Sequence, residues 1–124
     1  MKVNIGLKEK DTAAVAELLN KLVADLNVLY TKVRNAHWNV EGADFHAQHL
    51  FFEGIYEGLA ETIDEVAERV RAIGHYSVGS LKEFLDLTQL AEEKPTKNDS
   101  QSYIKILLKI QQKTVFLKFS LKIS

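Results

Sequence analysis

The sequence predicts an all-α protein built as an up-down helical bundle. Three observations carry that expectation. Two long segments, 11–38 and 44–73, place apolar residues three and four apart and are separated by a short polar turn. A capping signature at Ser80-Leu-Lys-Glu83 opens a short helix, and a further amphipathic segment follows from Tyr103. No hairpin signal, repeat or low-complexity tract interrupts the pattern.

The first helix, residues 11–38, carries Val15, Leu18, Leu19, Leu22, Leu26, Leu29, Tyr30 and Val33, and His37 continues the stripe. Asp11 or Thr12 is its expected cap. Asn39 to Ala43, containing Gly42, reads as a turn, and Asp44 as the cap of the second helix. That helix runs to Arg71–Ile73 and stops at Gly74, the residue type that ends helices in a left-handed conformation. Its apolar face is Phe45, Phe52, Tyr56, Leu59, Ile63, Val66 and Val70. The short helix extends to about Leu90. Pro95 and the cluster Asn98-Asp99-Ser100 precede the last helical pattern, Ile104, Leu107, Leu108, Val115 and Phe116. Residues 117–124 alternate apolar and polar, a strand pattern without a partner strand.

Composition narrows the function classes. The 124 residues suit one domain, 1–124. A formal net charge of −1 gives no global field towards nucleic acid or an anionic membrane. The chain has no cysteine, which removes disulfides and thiolate metal sites and leans towards the cytoplasm. No stretch has the length and apolarity of a membrane span or a signal peptide.

The most specific pattern is an acid–imidazole stripe on the second helix: His49, Glu53, Asp64 and Glu68. At the helical repeat they project at about 0°, 40°, 60° and 100°, one flank bordering the apolar face. Glu53 and Asp64 are roughly 16 Å apart along the axis, whereas metal–ligand bonds are about 2 Å, so one ion cannot touch both pairs of the same helix. The spacing is mirrored, however. His49/Glu68 and Glu53/Asp64 share one midpoint, between Gly58 and Leu59. A second copy packed antiparallel across a two-fold axis there would set His49 against Glu68 and Glu53 against Asp64, twice per dimer. Gly54 and Gly58, each costing roughly 1 kcal/mol inside a helix, suit a close approach at that crossing.

His37 lies two residues before the turn and His49 shortly after it, so both sit at one end of the antiparallel hairpin. One chain then offers His37, His49 and Glu53, and its partner Asp64 and Glu68. Imidazoles with carboxylates and no sulfur suit Fe(II), Mn(II) or Zn(II), with room for two ions bridged by a carboxylate. Such a site can bind Fe(II), pass electrons to an oxidant and release Fe(III). Trp38, with Tyr30 or Tyr56, is near the site as a wall or an electron donor. Two plainer readings stay open: flank carboxylates as solvated charge, and His37 as a hydrogen-bonded core residue.

Asn35-Ala-His-Trp-Asn-Val-Glu-Gly42, the segment from Phe45 to Glu53, Asp64-Glu-Val-Ala-Glu-Arg-Val-Arg-Ala-Ile-Gly74 and Ser80-Leu-Lys-Glu-Phe-Leu85 resemble the Dps family, the ferritin-like mini-cages named as DNA-binding proteins from starved cells. The match covers roughly residues 12 to 110. The resemblance implies a ferritin-like bundle with an extra short helix between the second and third long helices. It implies a ferroxidase centre between two-fold related subunits, which assigns His37, His49 and Glu53 to one subunit and Asp64 and Glu68 to the other. Position 53 is often Asp in the family, and Glu reaches one methylene further. Iron as Fe(II) and Fe(III) in a di-iron site, hydrogen peroxide as oxidant, and a dodecameric shell storing ferric mineral follow from the same resemblance. The expected location is cytoplasmic, with nucleoid association left open and not supported by the net charge.

Two departures are visible. The family's fourth bundle helix has no counterpart here, so the domain reads as C-terminally incomplete, and the tail 117–124 does not resemble the family. DNA binding in the family often uses a long basic tail, whereas Lys2, Lys8 and Lys10 make a short one. The rival expectation is a nucleoid or DNA-binding helical module without significant iron chemistry.

Overall fold

The computed structural model describes residues 8–91 and 94–113, with side chains described as far as residue 110. These residues form four helices: α1 (Glu9–Asn39), α2 (Phe45–Ala72), α3 (Leu81–Leu87) and α4 (Ser100–Lys113). Val115, Phe116 and the alternating tail lie outside the described residues.

α1 and α2 form an antiparallel hairpin whose register is fixed by three contacts. His75 reaches Thr12 at 3.1 Å, Tyr30 meets Tyr56, and His37 meets His49. From Tyr30 to His37 is seven residues along α1, and from Tyr56 to His49 seven back along α2, as equal helical rise demands. α1 is the hub and packs against all three other helices. Its middle is therefore covered most of the way round: Ala24, Asp25 and Leu26 are consecutive and all buried. The core joins Val23, Leu26 and Val33 of α1 to Phe52 of α2 and to Tyr103 and Ile110 of α4.

This hub role corrects the single-stripe reading of α1. Val15 and Leu18 of the expected stripe are exposed, while Val23 and Val28, outside it, are buried, because a helix packed against three neighbours buries more than one face. Phe45 is likewise exposed at the start of α2.

The turns follow local chemistry. Gly42, at φ +123°, turns the chain between α1 and α2, and Gly74, at φ +91°, ends α2. Gly74 N–H donates to Arg71 O and His75 N–H to Val70 O, the paired closure that needs a left-handed residue at Gly74. Ser80 and Glu83 make the expected reciprocal cap of α3, which ends at Leu87 rather than Leu90. Asp99 caps α4 by accepting from Ser102 N–H and Oγ, so that helix starts at Ser100, one turn earlier than its apolar pattern.

Two expected caps are not used. α1 begins at Glu9, before Asp11 and Thr12, and the Thr12 hydroxyl donates to Glu9 O instead. Asp44 does precede α2, but its Oδ2 accepts from Ser100 Oγ at 2.6 Å. It pins the start of α4 to the α1–α2 turn. Glu41 N–H donates to Asn98 O in the same place. The histidine end of the hairpin is thereby braced by a segment more than fifty residues away in sequence.

Candidate metal centre

α1 carries His37 in its last turn and α2 carries His49 in its second, so hairpin closure alone brings the two rings together. They stack with centroids 3.7 Å apart and planes 18° from parallel. The hydrogen bonds are reciprocal. His37 Nδ1 lies 2.7 Å from His49 O, and His49 Nδ1 lies 2.7 Å from His37 O. A carbonyl oxygen only accepts, so both Nδ1 atoms carry the proton. In the neutral rings both Nε2 lone pairs are then free. Metal-binding histidines are prepared in this way, with one nitrogen tied to a carbonyl and the other left for the ion.

The walls are aromatic. Phe45 stacks on the outer side of His49 at 5.2 Å, and Tyr56 meets His37 edge to face at 5.2 Å. His37 is buried at 6% exposure, whereas Trp38 beside it is 60% exposed. Glu53 is half-buried one turn beyond His49. Asp64 and Glu68 are exposed further along α2. Within one chain, among the described residues, no three or more His, Asp or Glu side chains gather closely enough to hold an ion. The fold thus unites His37 with His49, sets Glu53 one turn away, and leaves Asp64 and Glu68 apart from them. Glu65 and Glu68, with Arg69 and Ala72, line an open cleft of about 320 Å³ at the far end of α2.

Gly54 and Gly58 have no atom within 4 Å of an added Cβ. Among the described residues nothing uses their small size.

Three features escaped the sequence reading, one beside the site and two further back along α1. Arg34 donates to Tyr30 Oη at 2.7 Å and lies over the rings of Tyr30, Trp38 and Tyr56. The four-residue spacing of Tyr30, Arg34 and Trp38 was the available signal. Asp25 is buried at 3% and accepts from Thr88 Oγ1 at 2.6 Å and Gln89 N–H at 2.9 Å. Asn20 clamps the linker, donating to Tyr76 O and accepting from Val78 N–H. No local signal marks either of those two, since their partners are more than fifty residues away.

Comparison with known proteins agrees with this architecture. The family model for the ferritin-like domain matches residues 16–115. A DNA protection during starvation protein from Helicobacter pylori is 44% identical over 92 residues, 74% of this chain and 64% of that protein. A low temperature-induced protein from Nostoc is 43% identical over 91 residues, 73% of this chain and 51% of that one. The chain thus spans about half to two thirds of the length of such curated relatives. Among solved structures, Dps from Vibrio cholerae O1, described as a ferritin-like diiron-carboxylate protein, superposes with a TM-score of 0.78 at 31% identity, covering 97% of this chain and 80% of that one. DpsC from Streptomyces coelicolor gives a TM-score of 0.87 at 25% identity, covering 94% and 68%.

Proposed function

The chain belongs to the Dps family of ferritin-like proteins, and we propose that it binds and oxidises Fe(II) at a centre shared between two subunits and stores the ferric product. The observation that carries this reading is the imidazole pair. His37 and His49 lock each other's tautomer through backbone carbonyls and keep two Nε2 donors free. Both Nε2 atoms are thereby presented for coordination, the arrangement that histidine ligands use.

In this reading His37, His49 and Glu53 come from one subunit, and Asp64 and Glu68 of the partner subunit complete the set. Iron is the substrate. Three carboxylates beside two neutral imidazoles favour the more highly charged ferric ion, which lowers the barrier to losing an electron. With hydrogen peroxide the balance is two Fe(II), one peroxide and two protons giving two Fe(III) and two waters. No hydroxyl radical leaves such a paired step. Phe45 and Tyr56 hold the rings in place and exclude water from their outer faces. A homo-oligomeric, dodecameric shell in the cytoplasm is the matching assembly.

Fe(II) titration followed by peroxide addition tests the proposal. The parent chain should consume about half an equivalent of peroxide per Fe(II), and His49→Ala should lower the initial rate by roughly 10- to 100-fold, as loss of a metal ligand or its orienting bond does. An unchanged rate in His49→Ala would remove the imidazole pair from the chemistry. Salt-sensitive DNA retardation without iron oxidation would instead favour the DNA-binding module.

A further inference from the structure

Arg34 lies behind the aromatic wall of the imidazole pair, and iron ligation does not use it. Its guanidinium carbon lies 5.5 Å from the ring centroid of Tyr30, 5.0 Å from that of Trp38 and 4.9 Å from that of Tyr56. Nη1 donates to Tyr30 Oη, and Nε is buried without a hydrogen-bond partner. Among the described residues no carboxylate pairs with it, so its charge is spent on the rings alone. The rings in turn lead to the site. Tyr30 meets Tyr56 edge to face at 5.9 Å, and Tyr56 meets His37 at 5.2 Å.

We propose that Arg34 is an electrostatic guard, whose cation over Tyr30, Trp38 and Tyr56 keeps these rings from being oxidised by radicals formed beside the imidazole pair. The proposal rests on the iron-oxidising reading for the source of the radicals, and on the geometry alone for the protection. A stray one-electron step turns Fe(II) and peroxide into Fe(III), hydroxide and a hydroxyl radical. That radical takes a hydrogen atom from a tyrosine hydroxyl to give water and a tyrosyl radical. From Trp38 it takes an electron, becoming hydroxide, and the indole N–H proton then makes it water. Each step draws electron density from a ring whose negative face is holding the guanidinium, so the attraction is lost as the ring is oxidised. The bond from Nη1 likewise draws density from the Tyr30 oxygen.

The test compares the parent with Arg34→Gln and Arg34→Lys. Each protein receives Fe(II) and peroxide, and separately a photogenerated one-electron oxidant without iron. Oxidation at Tyr30, Trp38 and Tyr56 is read by peptide mass spectrometry. Arg34→Gln should oxidise these rings faster by roughly tenfold, the factor equal to losing about 1.4 kcal/mol of cation–ring attraction. Arg34→Lys should stay near the parent. Arg34→Met replaces the Gln variant if the latter loses its helical circular dichroism. Equal oxidation in parent and charge-free variant under the photo-oxidant overturns the guard. So does an equal rise in the Lys and Gln variants, which would mean packing rather than charge. A difference under the photo-oxidant with no iron oxidation in any protein keeps the guard and removes the ferroxidase reading.

Discussion

At the scale of single residues, burial of polar groups decides most of what matters. His37 and Asp25 are both buried on α1, on different faces, and each is kept there by bonds that cross the fold. For His37 the partner is a backbone carbonyl, which fixes the proton and frees the other nitrogen. For Asp25 the partners are a hydroxyl and an amide just after α3, so the carboxylate serves as an anchor. Asp25→Ala should leave both donors unsatisfied and cost about 1–3 kcal/mol. A lower urea midpoint at unchanged slope would measure that loss. The histidine positions were legible in the sequence, because the hairpin turn puts 37 and 49 at one end. Asp25 was not, because periodicity treats an acid among apolar neighbours as noise and says nothing of Thr88.

At the scale of helices, the terminal signals are local and the side-chain partners are not. Ser80 and Glu83 are three residues apart and find each other without help from the rest of the fold. Gly74 closes α2 for the same kind of reason. Asp44 is in the right place for a cap, yet Ser100 claims it, and no pattern near residue 44 could show that. α1 was read too narrowly because a helix buried on several sides has no single stripe. Hydrogen bonding from the Ser80 hydroxyl, then from the backbone N–H of Gly79, holds the Glu83 carboxyl below the usual glutamate range. A carboxyl whose pKa falls on folding stabilises the fold above its unfolded value, about 4.3, and that contribution is lost as pH falls through the lower folded value. α3 should therefore loosen in acid before α1 and α2 do. Lower amide protection factors, each corrected for the intrinsic exchange rate, in residues 81–87 at pH 3 than at pH 5, with Glu83→Gln insensitive over that range, are the expected result.

At the scale of the whole molecule, the single chain holds only part of what its stripe promises. His37 and His49 meet at one end of the hairpin with Glu53 one turn further along α2, and Asp64 and Glu68 stay towards the other end. Among the described residues nothing covers the two glycines between them, which leaves room for a second helix. In the proposed dimer, mirrored spacing about a point between Gly58 and Leu59 would bring those two ends together when a second copy is added. The most direct measurement is complementation between His49→Ala and Glu68→Ala chains. The two are unfolded together, refolded as a mixture, and assayed for Fe(II) oxidation. If the site is shared, half the dimers are mixed and each carries one site with both lesions and one with neither, so the mixture regains roughly a quarter of the parent activity. Activity no higher than that of the two variants assayed alone would contradict a centre built between subunits.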